Sequence, residues 1–436
     1  MVLKRIKGHY LVLNPDAPNL MVVDEKGKEL IMLFDGRRTV SEVLDRLSST
    51  YGSGKKETQR LQAFTGSLID AAYLHTEPPA KMEKIGLGPR KLTRLFLHLT
   101  NECNLRCSHC FRSAGSKMQN EMPENSLVRV VKEFADLGGT SLILTGGEPL
   151  LRREDLRTIA RKAKDCGIRD ITIATNGTLV SDNDVKLFKK HDITVAVSLD
   201  GGTMMTHDQI RGEGMFHLTV RNIVSLVKAG VKTYVETTLM RPNLNEVNQI
   251  MRLVKQLGVS LAAFSTVMPK GRAEANRMLL TLGNDDILSV YTAIKTGSKL
   301  IGIETNVEGY PLKSRLRHRR VMCGAGIHML SIGANGDVYP CQSLHDESLK
   351  AGNIQEQSLT RIWNESPILR EFREMTVLDF KKCKSCELKF ICAGGCRADA
   401  YNAYRDLHAC SPLCSVNRKI YWNRLIEMAQ EMWEKA

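Results

Sequence analysis

Long apolar stretches are missing from this sequence. None approaches the roughly 18 residues that a membrane-spanning helix needs, and the first residues (MVLKRIKGHYLVLNPDAPN) lack the uninterrupted apolar core of a secretory signal. Low-complexity tracts and long-period repeats are missing as well. These absences predict a cytoplasmic protein that has no membrane partner.

The composition is that of an ordinary globular protein. Of the 436 residues, 42% are hydrophobic and 25% are charged, which excludes a disordered or fibrous chain and is enough for several domains. The formal net charge of +14 suits an acidic partner, such as a peptide, a nucleic acid or a polycarboxylate. Because the basic residues are spread along the chain, a solvated basic surface explains the charge equally well.

The hydrophobic pattern divides the chain into three zones and a linker. Residues 1–80 contain β-like runs at 9–13, 20–23 and 29–33, then helical runs at 39–51 and 58–73, the first with a capping-box pattern at Thr39 and Glu42. Residues 81–91 are rich in proline and glycine and predict a linker. The remaining zones are residues 92–305 and the cysteine-rich residues 306–436.

Strands and amphipathic helices alternate through the second zone. Six strands are predicted, at residues 95–99, 141–145, 170–174, 194–198, 232–238 and 260–266. Such alternation indicates parallel strands joined by crossover helices. The pattern alone leaves open whether the strands form a doubly wound sheet or a barrel.

Three cysteines with the spacing C-x3-C-x2-C follow the first of these strands. They are Cys103, Cys107 and Cys110. Three thiolates suit a [4Fe–4S] cluster with one iron open to another ligand, whereas a structural zinc site needs four ligands and would have to recruit His109.

This loop resembles the signature of the radical S-adenosylmethionine (SAM) superfamily. The resemblance implies a partial (β/α)6 barrel in which Cys103, Cys107 and Cys110 form the catalytic centre. They would ligate three irons while the amino and carboxylate groups of SAM chelate the fourth. Phe111 matches the aromatic residue that lies beside the adenine.

Polar residues and glycines recur at the predicted carboxyl ends of the following strands, where βα folds place their active sites. Singly, each could be a turn, a helix cap or a surface ion pair. By resemblance, Gly146, Gly147 and Glu148 belong to a GGEP motif that binds the methionyl amino group, and two residues without Cβ would let the backbone approach a ligand. Arg211 is expected to pair with the SAM carboxylate. The other expected SAM contacts are Asn176, Ser198, Asp200, Glu236 and Met268.

Eight further cysteines lie in the third zone, and their order resembles the SPASM extension of radical SAM enzymes, which holds two auxiliary [4Fe–4S] clusters. Three clusters are therefore expected in all. The resemblance assigns one auxiliary cluster to Cys323, Cys341 and Cys396, and the other to Cys383, Cys386, Cys392 and Cys414. The first of these either has an open iron or is completed by Cys410 or His328. A pair of zinc-ribbon sites is the alternative, and Cys166 is expected to be a structural thiol.

Residues 33–44 (LFDGRRTVSEVL) resemble the PqqD-like peptide-recognition domain, a small winged helix-turn-helix that adds a leader peptide to its sheet edge. The whole sequence thus predicts a radical SAM oxidoreductase that matures a ribosomally made peptide, with an external electron donor of flavodoxin or ferredoxin type. Nucleic acid is not expected as a partner. One rival is an enzyme acting on a small molecule or tetrapyrrole carboxylate, as relatives in heme synthesis do. The other is a zinc-bearing winged-helix regulator.

Overall fold

The computed structural model describes residues 1–51, 55–71, 73–74, 91–307 and 319–435, so the predicted linker lies outside the described residues except for residue 91. An antiparallel three-stranded sheet and three helices form the N-terminal part. They are β1 (Val2–Ile6), β2 (His9–Asn14), β3 (Asn19–Val23), α1 (Glu25–Leu33), α2 (Val40–Tyr51) and α3 (Lys55–Asp70).

The strand predicted at residues 29–33 is wrong, because this run lies in α1. The Asp24 side chain accepts a hydrogen bond from the Gly27 amide at 2.8 Å and caps the start of the helix. The adjacent residues Leu30 and Ile31 are both buried, as one face of a helix allows and strict strand alternation does not. A run of four apolar residues suits a helix or a strand, so its pattern does not distinguish the two structures.

A ten-stranded sheet forms the centre of the chain. Its strands are β4 (Arg94–His98), β5 (Ser141–Thr145), β6 (Asp170–Thr175), β7 (Thr194–Ser198), β8 (Thr233–Leu239), β9 (Leu261–Thr266), β10 (Glu304–Val307), β11 (Met329–Ile332), β12 (Asp337–Tyr339) and β13 (Gly352–Asn353). The helices between them are α4 (Glu124–Asp136), α5 (Arg153–Asp165), α6 (Asp182–Lys190), α7 (Met204–Arg211), α8 (Met215–Lys228), α9 (Val247–Gln256), α10 (Arg272–Ala275), α11 (Arg277–Leu280) and α12 (Asn284–Ile301).

The six strands predicted from the sequence are confirmed as β4 to β9, with bounds that agree within one residue. Neighbouring strands run in the order β10-β9-β8-β7-β6-β5-β4 and are parallel. A doubly wound sheet would reverse its strand order, whereas an unbroken order with right-handed crossovers places the helices on one face. The strand order therefore favours the partial barrel over the doubly wound sheet.

Burial along the strands identifies the two faces of this sheet. Leu95 and Leu97 in β4 and Ile171 and Ile173 in β6 are almost completely buried, while Thr172 between the last two is only half-buried. The buried residues pack against the helices in one large core. The half-buried face lines the inside of the partial barrel, and the loops at the carboxyl ends of the strands surround its opening.

The C-terminal third extends the same sheet. β11 pairs in parallel with β4, and β12 and β13 continue antiparallel. Five helices follow: α13 (Leu359–Glu365), α14 (Pro367–Glu374), α15 (Lys389–Cys392), α16 (Arg397–Tyr404) and α17 (Cys414–Trp433). No helix within the described residues is long and apolar enough to cross a membrane.

The last helix returns to the N-terminal sheet. Leu11 and Leu13 of β2 share an apolar cluster with Tyr421 and Leu425 of α17. The opposite face of the sheet packs against α1, α2 and α3. The three-stranded sheet is thus enclosed between its own helices and the end of the chain.

Candidate functional site

The loop that carries Cys103, Cys107 and Cys110 is joined to the loop after β5. The amides of Gly147 and Glu148 donate to the carbonyl oxygens of Thr100 and Glu102, both at 2.8 Å. A Cβ atom on Gly146 would lie 2.4 Å from the Thr100 oxygen, and one on Gly147 would lie 2.1 Å from the Glu102 oxygen. The close approach expected at these glycines is present, but the backbone that approaches them is that of the cysteine loop.

Glu148 connects the loop after β5 to the end of β6. Its buried carboxylate accepts hydrogen bonds from the Thr175 hydroxyl at 2.7 Å and the Asn176 amide at 2.9 Å. Burial raises the pKa of Glu148 despite these hydrogen bonds. The Asn176 side chain in turn donates to Asn104 Oδ1 at 2.9 Å. Sequence reasoning missed Asn104, because an asparagine between two cysteines carries no signal of its own.

A buried ion pair lies beneath the cysteine loop. Arg211 Nε donates to Asp200 Oδ2 at 2.7 Å, and another guanidinium nitrogen lies 4.0 Å from Cys107 Sγ. Burial alone would raise the pKa of Asp200, but Arg211 and His109 outweigh it and hold the pKa below its ordinary value. Arg211 was expected to pair with the SAM carboxylate, and its partner in the structure is Asp200.

His109, the residue that a zinc site would have to recruit, is directed at the same carboxylate. Its Nε2 lies 3.4 Å from Asp200 Oδ2. Burial lowers the pKa of His109 to about 4, so the ring is neutral at physiological pH. The position of this ring is explained by Asp200.

A turn after β9 holds the cysteine loop from the other side. Gly271 has φ +61°, and a Cβ atom there would lie 2.6 Å from the Phe111 carbonyl oxygen. The Arg272 amide donates to the Cys110 oxygen at 3.0 Å, and its Nε donates to the Cys107 oxygen at 2.9 Å. Sequence reasoning missed both residues of this turn. The only signal for them was a glycine shortly after the sixth predicted strand.

The remaining predicted SAM contacts have fewer hydrogen bonds to the cysteine loop than the residues described above. Ser198 and Glu236 lie opposite each other on β7 and β8, and Glu236 accepts a hydrogen bond from the Tyr234 hydroxyl at 3.2 Å. The Met268 sulfur accepts a hydrogen bond from Asn402 at 3.2 Å and packs against the core of the C-terminal third. Phe111 is half-buried beside Gly271.

The first three cysteines suit an iron–sulfur cluster by their donor chemistry. The Leu105 amide donates to Cys103 Sγ at 3.4 Å, a type of hydrogen bond that tunes cluster thiolates. Burial, together with the charges of Glu148, Cys107 and Cys110, raises the pKa of Cys103 to about 11. Such a thiol ionises readily only when a metal replaces its proton.

The C-terminal cysteines form two groups. A cavity of ≈ 320 Å³ is lined by Cys383, Cys386, Cys392, Cys410 and Cys414. Cys410 has side-chain hydrogen bonds with Cys383 and Cys414, which places it in this second auxiliary group.

The first auxiliary group surrounds Cys396. The pKa of Cys396 is raised well above its ordinary value by burial, with the charges of Asp399, Cys341 and Cys323 adding to the effect. Cys323 and Cys341 are therefore within electrostatic range of Cys396. The His328 ring lies against Gly324, the residue next to Cys323.

Comparison with known proteins agrees with this geometry. The profile of the Radical SAM superfamily matches residues 97–254, and the SPASM profile, an iron–sulfur cluster-binding domain, matches residues 323–387. An AdoMet-dependent heme synthase from Methanosarcina barkeri is 32% identical over 335 residues, which are 72% of this chain and 94% of that protein. The chain belongs to the radical SAM superfamily.

Two further proteins that resemble this radical SAM protein are a maturase and a protein of solved structure. The mycofactocin maturase MftC of Mycobacterium tuberculosis is 27% identical and covers 77% of this chain, and this chain covers 86% of MftC. The crystal structure of SuiB from Streptococcus suis bound to S-adenosylmethionine has a TM-score of 0.63 at 19% identity, with 94% of this chain and 98% of SuiB covered. That likeness shows the shared fold.

Radical SAM and SPASM domains bind [4Fe–4S] clusters and SAM. The protein is therefore an iron–sulfur enzyme of this superfamily.

Proposed function

We propose that this radical SAM enzyme oxidatively modifies or cross-links a ribosomally made peptide whose leader segment binds the N-terminal domain. The observation that carries the proposal is a groove beside β3, which is an edge strand of the N-terminal sheet. The groove has a volume of ≈ 640 Å³. It is lined by Asn19, Leu20, Met21 and Val22 of β3, by Asp70, Ala71 and Tyr73 at the end of α3, and by Met432 and Trp433 of α17.

An extended peptide would bind this groove as a fourth strand. The β3 backbone would supply main-chain hydrogen bonds, and the apolar walls would accept alternate side chains. The net charge of +14 favours an acidic leader and would speed its association. SuiB, which shares the fold over nearly the whole chain, has also been solved bound to its precursor peptide SuiA.

The cluster ligands are part of the proposal. Cys103, Cys107 and Cys110 would hold the cluster that binds SAM, which together supply the 5′-deoxyadenosyl radical. Cys323, Cys341 and Cys396 would hold one auxiliary cluster, and Cys383, Cys386, Cys392 and Cys414 the other. An external electron donor of flavodoxin or ferredoxin type would reduce the first cluster.

The chain's own residues position these groups. Gly147, Glu148 and Arg272 fix the cysteine loop against the carboxyl ends of the strands, and Arg211 places a positive charge beside Cys107. Phe111, Ser198 and Glu236 border the opening of the barrel, where SAM would bind. The barrel wall would exclude water from the radical.

A second candidate function is modification of a tetrapyrrole carboxylate. It is favoured by the 32% identity to the Methanosarcina barkeri protein, whose name states AdoMet-dependent heme synthesis. In that case the N-terminal groove would have no role in turnover.

A binding and turnover experiment with the full chain distinguishes the two candidate functions. Deletion of residues 1–80 would uncover the apolar face of α17, so substitutions in the groove are the sharper test. Met432→Ala and Trp433→Ala remove groove side chains that are 44% and 39% exposed. Met32→Ala, at a residue on α1 that is 61% exposed and outside the groove, is the matched control.

The ligand in this experiment is the product of a short open reading frame beside the gene, where the locus contains one. Both groove variants should bind it about tenfold or more weakly, since an apolar anchor is lost, and should modify it correspondingly less at low concentration. The Met32 variant should behave like the wild type. If both groove variants bind and modify the peptide as the wild type does, the N-terminal domain is not the leader site and the tetrapyrrole candidate gains.

A further inference from the structure

A polar cluster lies between the first cysteine loop and the Cys341 loop, and the site described above does not use it. Lys270, next to the Gly271 turn, donates from Nζ to the His345 carbonyl oxygen at 2.6 Å. The His345 ring stacks on Tyr339 with a centroid distance of 4.2 Å and meets the edge of His98 at 5.0 Å. Arg112, two residues after Cys110, is within electrostatic range of Tyr339, His98 and His345.

Within the described part of the chain, neither Arg112 nor Lys270 has an acidic side chain that pairs with it alone. Arg112 is half-buried and makes no hydrogen bond or ion pair with any residue in the described ranges. Lys270 is within electrostatic range of Arg112 and Asp346. The Asp346 carboxylate is already bound by Arg405 at 2.6 Å and by the Tyr401 hydroxyl at 3.2 Å. Two half-buried positive charges near each other are costly unless an anion joins them.

The rings nearby leave polar atoms without partners. Among the described residues, His98 Nε2 and His345 Nδ1 are buried and have no hydrogen-bond partner. Burial holds the pKa of both rings well below the ordinary value, so both are neutral. His345 Nε2 lies 2.7 Å from the Ser331 hydroxyl, which fixes this ring. A neutral ring nitrogen can donate one further hydrogen bond to a bound anion.

We propose that Arg112 and Lys270, with His98 beside them, form a subsite for a carboxylate of the substrate between the two cysteine loops. A guanidinium fork and an ammonium group are the natural partners of a carboxylate. Arg112 is within electrostatic range of Cys110, and Lys270 is within electrostatic range of Cys341, so a substrate anchored by both cations would lie near the radical centre. The inference rests on the proposed function in that the substrate must enter this space.

The carboxylate could belong to a tetrapyrrole or to an acidic peptide. Two separate arms of one binding experiment distinguish these sources. One arm titrates the iron-loaded holoprotein with a propionate-bearing porphyrin and with its methyl ester. The other arm uses the precursor peptide and a version in which every Asp and Glu is replaced by Asn and Gln. Each ligand is measured against the wild type, Arg112→Gln, Lys270→Gln and the control Lys299→Gln, which removes an exposed cation of α12.

In one arm the wild type should prefer the acid over its neutral counterpart by about tenfold or more, the factor expected for a charge-assisted hydrogen bond. Arg112→Gln and Lys270→Gln should reduce this preference, and Lys299→Gln should keep it. Iron content, measured on the same samples, reports that each variant is loaded. The arm that shows the preference identifies the source of the carboxylate.

The inference is overturned if neither arm shows an acid preference, or if both subsite variants retain it. The proposed function is tested separately on the wild type, by release of 5′-deoxyadenosine after addition of reductant and SAM. A wild type that cleaves SAM but lacks the acid preference contradicts only the subsite. A wild type that cleaves no SAM contradicts the proposed function itself.

Discussion

The two cysteine-bearing regions of this protein are held in different ways, because most backbone hydrogen bonds of the second region lie within its own turns. Backbone and side-chain hydrogen bonds from the ends of several strands fix the loop of Cys103, Cys107 and Cys110, through Gly147 and Arg272 among others. The second auxiliary group surrounds a cavity that is lined by the four-residue helix α15 and by the first two turns of α17. We expect the folded chain to order the first cysteine loop even without a cluster. The second region, in contrast, is expected to need its cluster in order to fold.

The apolar packing of the C-terminal third supports this contrast. Cys383 is itself part of a buried core cluster, and Cys410 packs at its edge. Cys386 and Cys392 border the cluster that joins α17 to the N-terminal sheet. Removing a ligand there also removes packing from two parts of the molecule.

The largest expected effect tests this contrast directly. Replacing Cys383, Cys386, Cys392 and Cys414 together with Ala should remove about four irons and make the C-terminal third sensitive to proteolysis. Replacing Cys103, Cys107 and Cys110 with Ala should also remove about four irons and abolish release of 5′-deoxyadenosine, yet leave resistance to proteolysis close to that of the wild type. Equal proteolysis of the two variants would contradict the contrast.

A buried charge pair gives the next largest effect. Asp200→Asn leaves Arg211 buried without a charged partner and should lower the free energy of unfolding by about 3–5 kcal/mol, measured by denaturant titration of the iron-loaded protein. The matched control is Asp192→Asn, because Asp192 pairs with Lys232 at 2.9 Å on the surface. That variant should lose less than about 1 kcal/mol. Similar losses in both would show that the buried pair does not stabilise the cysteine loop.

The turn at Gly271 gives a smaller effect. Gly271→Ala combines a positive φ with a clash against the Phe111 carbonyl oxygen, and should cost about 1–3 kcal/mol more than a substitution that carries backbone strain alone. Gly167→Ala is the control, because Gly167 has φ +77° and open space around it. Thermal unfolding of both variants measures the difference. Equal losses would mean that the cysteine loop shifts freely at this point.

The smallest effect concerns the fifth thiol of the second auxiliary group. A [4Fe–4S] cluster takes four cysteines, so one of the five around the cavity is spare. With Cys414 as the ligand, Cys410→Ala should keep the iron and sulfide content of the wild type, and Cys414→Ala should lower it. The reverse result would exchange the roles of the two residues.

The sequence predicted the parts of this protein that depend on local pattern. Strands β4 to β9 and the spacing of Cys103, Cys107 and Cys110 were readable because each is a short contiguous signal. Gly146 and Gly147 were expected to let the backbone approach a ligand; in the structure the cysteine loop lies against them, and their contact with SAM stays a prediction. The strand predicted at residues 29–33 failed because its four apolar residues suit a helix equally well.

Features that depend on distant parts of the chain were not predictable. The pairing of β11 with β4 joins segments more than 200 residues apart, and no sequence pattern predicts which strands will pair over that distance. The contact between α17 and the N-terminal sheet was not predictable either, because it joins the two ends of the sequence. Cys410 lies beside Cys383 and not in the first auxiliary group. The spacing of the cysteines did not predict which group it would join.

Hydrogen–deuterium exchange, compared between the iron-loaded protein and the same protein after iron removal, tests the central claim most directly. Amides bonded within the fold around the first loop, such as those of Cys103, Gly115 and Gly147, should keep their protection when iron is removed. Amides from residue 383 to residue 414 should lose theirs, since the cluster that orders them is gone. Equal loss of protection in both regions would contradict the claim that the fold holds the first cysteine loop.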